Sequence, residues 1–363
     1  MICAARGETK AGASGARRSA LASANGSARR TRDRWVRGVI TGDKLGGTPI
    51  IRTTLRPRSL VLDPRVTERR NPRSAAIDLA SPLEIVDIMN AEDRGVADAV
   101  ASQRAQVART IELVEETFRA GGRLFYVGAG TSGRLGVLDA SECPPTFGSD
   151  PEMVQGIIAG GAPALVRSAE SAEDRPDGAR ADLSAAGVRR GDFVLGIAAS
   201  GTTPYVHAAL EHARSVGART GILACSPPPA GVVDAVDVAI LPITGPEVMT
   251  GSTRLKAGTA TKLVLNTITT GAMVRLGKAY GNLMVDLRAT NVKLRDRAER
   301  LVMVTCGVSR EEARAVLAAS GGGVKLAIVM QKLGVDRATA EARLAAEGGV
   351  IRRVVPGAPP PVE

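Results

Sequence analysis

Short apolar runs alternate with stretches of helical periodicity through the middle of this 363-residue chain. Each run is nearly continuous in apolar residues and too short to be a buried helix. Such runs are typical of parallel strands whose two faces are both covered by helices. The pattern therefore predicts an α/β fold, a doubly wound parallel sheet between two helical layers. The predicted strands are Leu124–Val127, Val154–Ala159, Phe193–Ile197, Thr220–Ala224 and Val238–Ile243.

Apolar residues at helical spacing predict helices before the first strand and around the others. Glycines at positions 121 and 122 mark the end of one of these helices, as expected of a C-cap. The predicted helices are Pro82–Asn90, Ala105–Ala120, Gly133–Cys143, Ala162–Ala172, Gly178–Ala186, Pro204–Ser215 and Ser252–Arg275.

The pattern changes after about Ala298 to short helices separated by glycine. Ser309, with Glu312 three positions later, forms the signature of a capping box at the start of one of them. We therefore predict a sheet domain over residues 66–297 and a small three-helix C-terminal unit over 298–363. Its predicted helices are Arg310–Ala318, Lys325–Leu333 and Arg337–Glu347.

Almost all of the net charge of +11 comes from an N-terminal extension over residues 1–65. The first 60 residues hold 13 Lys and Arg against 3 Asp and Glu, whereas the rest of the chain holds 35 against 34. The extension is rich in Arg, Ser, Ala and Gly without periodicity, which predicts disorder. We interpret it as dispensable, with a nucleic-acid-binding arm and a targeting peptide as alternatives. The balanced body does not favour a nucleic-acid partner.

The four cysteines (Cys3, Cys143, Cys225 and Cys306) have neither metal-ligand spacing nor the pattern of a disulfide framework. Scattered thiols of this kind indicate a reducing compartment, so we expect a cytoplasmic protein. No apolar segment approaches the roughly 20 residues that a membrane helix needs. We expect no metal, no cofactor and no membrane partner.

Two predicted strands end in small-residue loops that carry hydroxyls. Gly128–Arg134 follows the first strand, and Ala198–Thr203 follows the third. Each loop precedes a predicted helix, so its hydroxyls and backbone amides lie at a helix N-terminus, where phosphate binds well. The two loops together predict one phosphorylated small molecule in a crevice at the strand ends. The candidate hydroxyls are those of Thr131, Ser132, Ser200, Thr202 and Thr203.

The first loop also matches the dinucleotide fingerprint GxGxxG. That fingerprint needs an acidic residue at the end of the second strand, to bind the ribose hydroxyls. Here the second strand ends in Ala159 and is followed by Gly160 and Gly161. A dinucleotide is therefore disfavoured, and a phosphate monoester held by side-chain hydroxyls is favoured.

Carboxylates are the expected acid–base groups, because the only two histidines lie about 140° apart around one predicted helix. These are His207 and His212. Glu142 comes at a predicted helix end before two prolines, where the helix dipole favours the protonated form that suits a general acid. Glu173 lies in a predicted turn. An ordinary helix-end residue and an ordinary turn residue are the competing interpretations of these two glutamates.

A third polar segment, Gly245–Lys256, opens the longest predicted helix. Ser252 and Thr253 are suited to cap that helix, and Arg254 would attract an anion to it. We add the Ser252 hydroxyl to the candidate phosphate ligands, with plain helix capping as the competing interpretation.

Five segments together resemble the N-acetylmuramic acid 6-phosphate etherases, a family with the sugar isomerase (SIS) fold. The resemblance extends from about Thr67 to Val354 and leaves out the basic extension. It implies a flavodoxin-like, three-layer α/β/α sheet and a homodimer with its sites near the subunit interface. The matching segments are Gly128–Pro145, Ala169–Asp174, Gly196–Tyr205, Gly245–Lys262 and Gly281–Asn291.

The resemblance implies removal of the D-lactyl ether from C3 of a phosphorylated muramic sugar by elimination and then hydration. Ring opening gives a C1 aldehyde that acidifies the C2 proton, so one base and one acid are enough, without a cofactor. By this resemblance Glu142 is the acid that protonates the departing lactate, and Glu173 is the base at C2. The loop hydroxyls would hold the phosphate, Ser132 and Ser200 first among them.

Two other functions share this pattern of loops. The glucokinase regulatory proteins sense sugar phosphates without catalysis, and they are generally longer, with a second SIS-type module. Aldose–ketose isomerases of the same fold need ring opening and a base at C2 but no acid at the C3 oxygen. The single set of loops in this chain favours the etherase.

Overall fold

The computed structural model describes residues 63–169, 171–287 and 292–357. The predicted disorder of residues 1–65 therefore lies outside the described residues, apart from 63–65. In that last part, the backbone amide of Arg65 donates to Asp63 Oδ1 at 2.8 Å.

Five parallel strands form the main sheet, in the order β2-β1-β3-β4-β5. This is the flavodoxin-like order, in which the chain changes direction between β1 and β3. The predicted doubly wound sheet is therefore confirmed, and β1 and β3, the strands before the two polar loops, are direct neighbours. The strands are β1 Leu124–Gly128, β2 Val154–Ile158, β3 Phe193–Ile197, β4 Arg219–Leu223 and β5 Val238–Ile240.

Helices cover both faces of this sheet. Successive side chains of a strand point to opposite faces, so they pack into two different cores. Leu124 and Tyr126 pack into one core with α2, α3 and α6, while Phe125 and Val127 pack into the other with α4 and α5. The helices that precede or follow the strands are α1 Pro82–Ala101, α2 Arg104–Arg119, α3 Gly130–Phe147, α4 Pro176–Ala185, α5 Pro204–Ser215 and α6 Lys256–Arg275.

Several predicted helices differ from those in the structure, among them Gly133–Cys143, which is part of the longer α3. The helix predicted over 162–172 is wrong, because that segment holds only two short 3-10 turns, Ala162–Leu165 and Ala172–Asp174. The first helix continues beyond its predicted end at Asn90 to Ala101. The longest helix begins at Lys256 rather than at Ser252, so the predicted capping role of Ser252 and Thr253 is wrong.

The C-terminal part contains the three predicted helices and two more around them. Ser309 and Glu312 form the predicted capping box, with the Glu312 amide donating to Ser309 Oγ at 3.2 Å. These helices share a core of their own. The elements are β6 Ala279–Tyr280, β7 Leu283–Met284, α7 Val292–Cys306, α8 Arg310–Ala319, α9 Val324–Leu333, α10 Arg337–Ala346 and α11 Ile351–Val354. The domain boundaries stay a prediction.

In the part of the chain that the structure describes, no single helix combines the length and hydropathy of a membrane span. The helices α8 and α9 reach that combination only as a pair, across a bend of 108°.

A buried ion pair fastens α1 to the first residue of α6. The ammonium of Lys256 lies 2.6 Å from the carboxylate of Glu92, and both side chains are almost fully buried. Asn71 donates to the same carboxylate at 2.8 Å, and Arg73 donates to its other oxygen. This cluster fixes where α6 begins, and the Gly245–Leu255 loop that precedes α6 is fixed with it.

This cluster predicts a specific loss of stability in acid. Burial raises the pKa of Glu92, but hydrogen bonds from Arg73, Lys256 and Asn71 outweigh it and hold the pKa at about 2. A folded-state pKa below the unfolded value of 4.5 contributes stability above pH 4.5 that is lost as the pH falls towards 2. We therefore expect Glu92→Gln to destabilise the protein strongly at pH 7 and progressively less below pH 4.5.

Denaturant unfolding at a series of pH values measures this difference. Glu347→Gln, at an exposed carboxyl, is the matched control and should differ little from the wild type at any pH. A difference for Glu92→Gln that stays constant from pH 7 to pH 3 would contradict the expectation.

Candidate active site

The first polar loop is a tight turn from β1 into α3. A Cβ on Gly128 would lie 2.7 Å from the amide nitrogen of Gly133, so the close approach requires glycine. The residue before the helix, Ala129, has no side chain that caps the first amides. Thr131 and Ser132 are half-buried, and among the described residues no group hydrogen-bonds to their hydroxyls. This arrangement of free amides and hydroxyls is suited to bind an anion.

The second polar loop joins β3 to α5, and two of its hydroxyl residues hydrogen-bond to each other. Ser200 Oγ lies 3.0 Å from Thr202 Oγ1 and accepts the amide of Thr202 at 3.3 Å. Gly201 between them has φ +76°, and His207 Nε2 lies 2.8 Å from its carbonyl oxygen. Thr203 precedes α5 without a side-chain capping bond. His207 therefore fastens the loop to α5, and the two hydroxyls belong to half-buried residues of the loop.

The third polar segment owes its shape to a buried glutamate. Glu247, fully buried, accepts the amides of Lys256 at 3.0 Å and Ala257 at 2.9 Å, and so caps α6 from nine residues upstream. Burial raises the pKa of Glu247, against the two backbone hydrogen bonds and the Lys256 charge. Ser252 is half-buried in the loop between them. This remote cap leaves the Ser252 hydroxyl out of the helix.

The three loops meet at one end of the sheet. The paired strands β1 and β3 bring the first two loops side by side, since Gly128 and Ile197 are register partners. A Cβ on Gly258 of α6 would lie 3.3 Å from the Thr253 carbonyl oxygen and 3.6 Å from the Thr131 methyl carbon. The segment that carries Ser252 therefore lies against the first loop.

Glu173 lies beside the first loop. It belongs to the 3-10 turn Ala172–Asp174, which follows Ser171, a non-glycine residue at φ +63°. Glu173 is exposed and lines a cavity of about 300 Å³ that is also lined by Gly130, Arg134 and Ser168. Arg134 donates to the carbonyl oxygen of Leu165 at 3.0 Å, which fastens this wall of the cavity to α3. A carboxylate and an anion-binding helix N-terminus thus share one cavity.

Glu142 lies further along α3, and it is not at the C-terminal end of that helix. The α-helix continues past Pro144 and Pro145 to Phe147 and closes at Gly148, which has a left-handed conformation. The interaction with the dipole falls off within the last turn, so the helix-end argument for Glu142 as an acid was wrong. The role of Glu142 now rests on the resemblance and on its surroundings.

The carboxyl group of Glu142 is exposed in a second cavity, of about 260 Å³, between α3 and α6. Asp139, one turn earlier, is buried there and accepts hydrogen bonds from Tyr126 at 2.9 Å and from Asn266 at 2.6 Å. Burial raises the pKa of Asp139 against these bonds. Lys262 lines the same cavity. Sequence reasoning missed Asp139, Lys262 and Asn266, although Asp139 and Glu142 have the spacing of one helix face.

Glu142 and Glu173 therefore lie in different cavities of one protomer. Glu142 is twelve residues beyond Gly130 along α3, roughly 18 Å at the rise of an α-helix. Glu173 lines the first cavity and Glu142 lines the second, and none of the six candidate hydroxyl residues lines either of them.

Within the described residues, no three His, Cys, Asp or Glu side chains are grouped as metal ligands would be.

Comparison with known proteins gives relatives that are named as N-acetylmuramic acid 6-phosphate etherases. A protein of Synechococcus elongatus named N-acetylmuramic acid 6-phosphate etherase is 54% identical over 264 residues, 73% of this chain and 86% of that protein. One of Symbiobacterium thermophilum with the same name is 55% identical over 264 residues, 73% of this chain and 87% of that protein. An "etherase 2" of Vibrio parahaemolyticus is 53% identical over 265 residues, 73% of this chain and 88% of that protein.

Residues 106–214 match the family described as the glucokinase regulatory protein N-terminal SIS domain. This range contains the first two loops and both glutamates. Among solved structures, a phosphoheptose isomerase from Francisella tularensis has a TM-score of 0.42 at 14% identity, covering 54% of this chain and 100% of that one.

Proposed function

This chain belongs to the N-acetylmuramic acid 6-phosphate etherase family, and from that we propose that it cleaves the D-lactyl ether of N-acetylmuramic acid 6-phosphate. The products are N-acetylglucosamine 6-phosphate and D-lactate. The observation that carries the proposal is the cavity in which the uncapped N-terminus of α3 and the Glu173 carboxylate lie together. It offers an anion site for the phosphate next to a base.

The phosphate binds at the N-terminus of α3 in this proposal. The free amides that begin α3 and the hydroxyls of Thr131 and Ser132 would donate to its oxygens, since a helix N-terminus favours negative charge. Ser200, Thr202, Thr203 and Ser252 would complete the polar rim from the other two loops. Binding at this point holds the sugar chain beside Glu173.

The reaction needs one base and one acid. In the open-chain sugar, the C1 aldehyde acidifies the proton on C2, and Glu173 removes it. The C3–oxygen bond then breaks, its electron pair leaves with lactate, and Glu142 protonates the lactate oxygen. Water finally adds across the C2–C3 double bond, with its hydroxyl at C3 and its proton at C2.

In this proposal the acid comes from a second copy of the chain, because Glu142 and Glu173 line different cavities of one copy. We therefore place the site between two protomers of a homodimer, with Glu142 of one copy meeting the sugar held by the other. Leu138, which lines the Glu142 cavity, is 49% exposed. An apolar residue exposed at this point is suited to be covered by a partner subunit.

We place the reaction in the cytoplasm. The thiols of Cys143, Cys225 and Cys306 are free, and thiols remain reduced in that compartment.

One assay tests the activity. Purified protein is incubated with N-acetylmuramic acid 6-phosphate, and D-lactate is measured with time. We expect stoichiometric release of lactate and N-acetylglucosamine 6-phosphate. Tight binding of the sugar phosphate without lactate release would indicate a sensor instead. Exchange of solvent deuterium into C2 without lactate release would indicate an isomerase.

A further inference from the structure

Lys262 brings a positive charge to the cavity around Glu142. Lys262 is exposed on α6, one turn before Asn266, and its ammonium donates to the side-chain oxygen of Asn266. No carboxylate of the described residues lies within ion-pair distance of this ammonium. The Lys262 charge acts on Asp139 through space, but its ammonium forms no ion pair there and is available to a ligand.

A chain of hydrogen bonds sets the position of this cation. Asp139 accepts the hydroxyl of Tyr126 on one oxygen and the Asn266 amide on the other. The Asn266 side-chain nitrogen points to Asp139, since it donates to Asp139 Oδ1 at 2.6 Å. The Asn266 oxygen must then point the other way, towards Lys262. Asp139 is only 5% exposed, so the inner end of this chain is fixed in the core.

The cavity matches one part of the proposed substrate. Its volume of about 260 Å³ is enough for a lactyl group and lies below the usual range for pockets that hold a larger ligand whole. In the proposed reaction Glu142 meets the ether oxygen, and the carboxylate of the lactyl group is two bonds from that oxygen. A carboxylate held there would face Lys262, and an ammonium is a strong partner for it.

We infer that Lys262 binds the carboxylate of the substrate's lactyl group, and that Asn266, oriented by Asp139, positions it. The inference rests on the proposed function and adds to it the element that distinguishes the ether substrate from the sugar phosphate product. Lys262 is thus a specificity residue. Asn266 and Asp139 are positioning residues, since they act through Lys262.

Lys262→Met tests the inference. The carboxylate charge is the same in the substrate and in the transition state, so its loss should appear mainly in KM. We expect KM for N-acetylmuramic acid 6-phosphate to rise about 10- to 100-fold, as for the loss of a hydrogen bond between charged groups. We expect kcat to change little, and inhibition by N-acetylglucosamine 6-phosphate, which has no lactyl group, to stay the same.

Three further variants control the test. Lys262→Arg keeps the charge and should restore most of the affinity. Lys332→Met removes an exposed lysine of α9 and should leave both constants unchanged. In Asn266→Leu the leucine side chain cannot accept the hydrogen bond that orients Lys262. We expect KM to rise, as in Lys262→Met, and inhibition by the product to stay the same.

Two results would overturn the inference. One is an unchanged KM in Lys262→Met, and the other is an equal loss of affinity for substrate and for N-acetylglucosamine 6-phosphate. Either result leaves lactate release by the wild type, and so the proposed function, intact. If the wild type releases no lactate, the proposed function and the inference both fail.

Discussion

Glu142→Gln should lower kcat for lactate release about 10²- to 10⁴-fold, the usual contribution of a positioned general acid or base. Glutamine keeps the size of the side chain but cannot protonate the departing lactate. Because the proposed phosphate site lies at the other end of α3, we expect inhibition by N-acetylglucosamine 6-phosphate to stay the same. Steady-state kinetics with a lactate assay measure both quantities.

The control for this variant is Glu347→Gln, which removes an exposed carboxyl from the C-terminal helices and should have wild-type kinetics. Near-normal kcat in Glu142→Gln would remove this residue from the reaction. A loss of product inhibition as large as the loss of kcat would instead assign Glu142 to sugar binding.

Glu173→Gln should lower kcat by a similar factor, for a different reason. This variant has no base at C2, so the proton there cannot be removed and the elimination cannot begin. Exchange of the C2 proton of N-acetylglucosamine 6-phosphate with deuterium in the solvent isolates that step, because no lactate is involved. We expect Glu173→Gln to lose this exchange and Glu142→Gln to keep it.

Proton NMR of the sugar in deuterium oxide follows the exchange directly. If the two variants gave the opposite result, the roles of acid and base would be reversed. If both kept full exchange, neither glutamate would be the base at C2.

The sequence predicted the sheet and its loops well, because both depend on local patterns. Strands such as Phe193–Ile197 are continuous apolar runs, and buried strands need nothing else to be identified. The capping box at Ser309 is equally local, since its two partners are three residues apart. The hydroxyl loops were found because glycine and serine directly follow the apolar runs.

The features that were missed depend on contacts between distant residues. Glu247 caps α6 from nine residues away, a role that the sequence suggested for Ser252 and Thr253 instead. Asn266 meets Asp139 only because α6 packs on α3. Both contacts need the tertiary structure, and no spacing in the sequence indicates them.

The prediction that two prolines end the helix at Glu142 was wrong for a different reason. Proline removes a backbone donor and crowds the carbonyl four residues earlier, which usually ends a helix. Here α3 continues for five residues beyond Glu142, to Phe147, and Gly148 closes it. This extension moves Glu142 away from the helix end and leaves its position along α3 as the feature that matters. From that position we propose a site shared between two copies of the chain.

Whether the two glutamates act from different copies is tested most directly with a heterodimer of Glu142→Gln and Glu173→Gln subunits. The two subunits carry different tags, are coexpressed and are isolated together. If the site is shared, one of its two sites has both glutamates and the other has neither, so we expect about half of the wild-type kcat per dimer. Activity no higher than that of either variant alone would contradict a site shared between protomers.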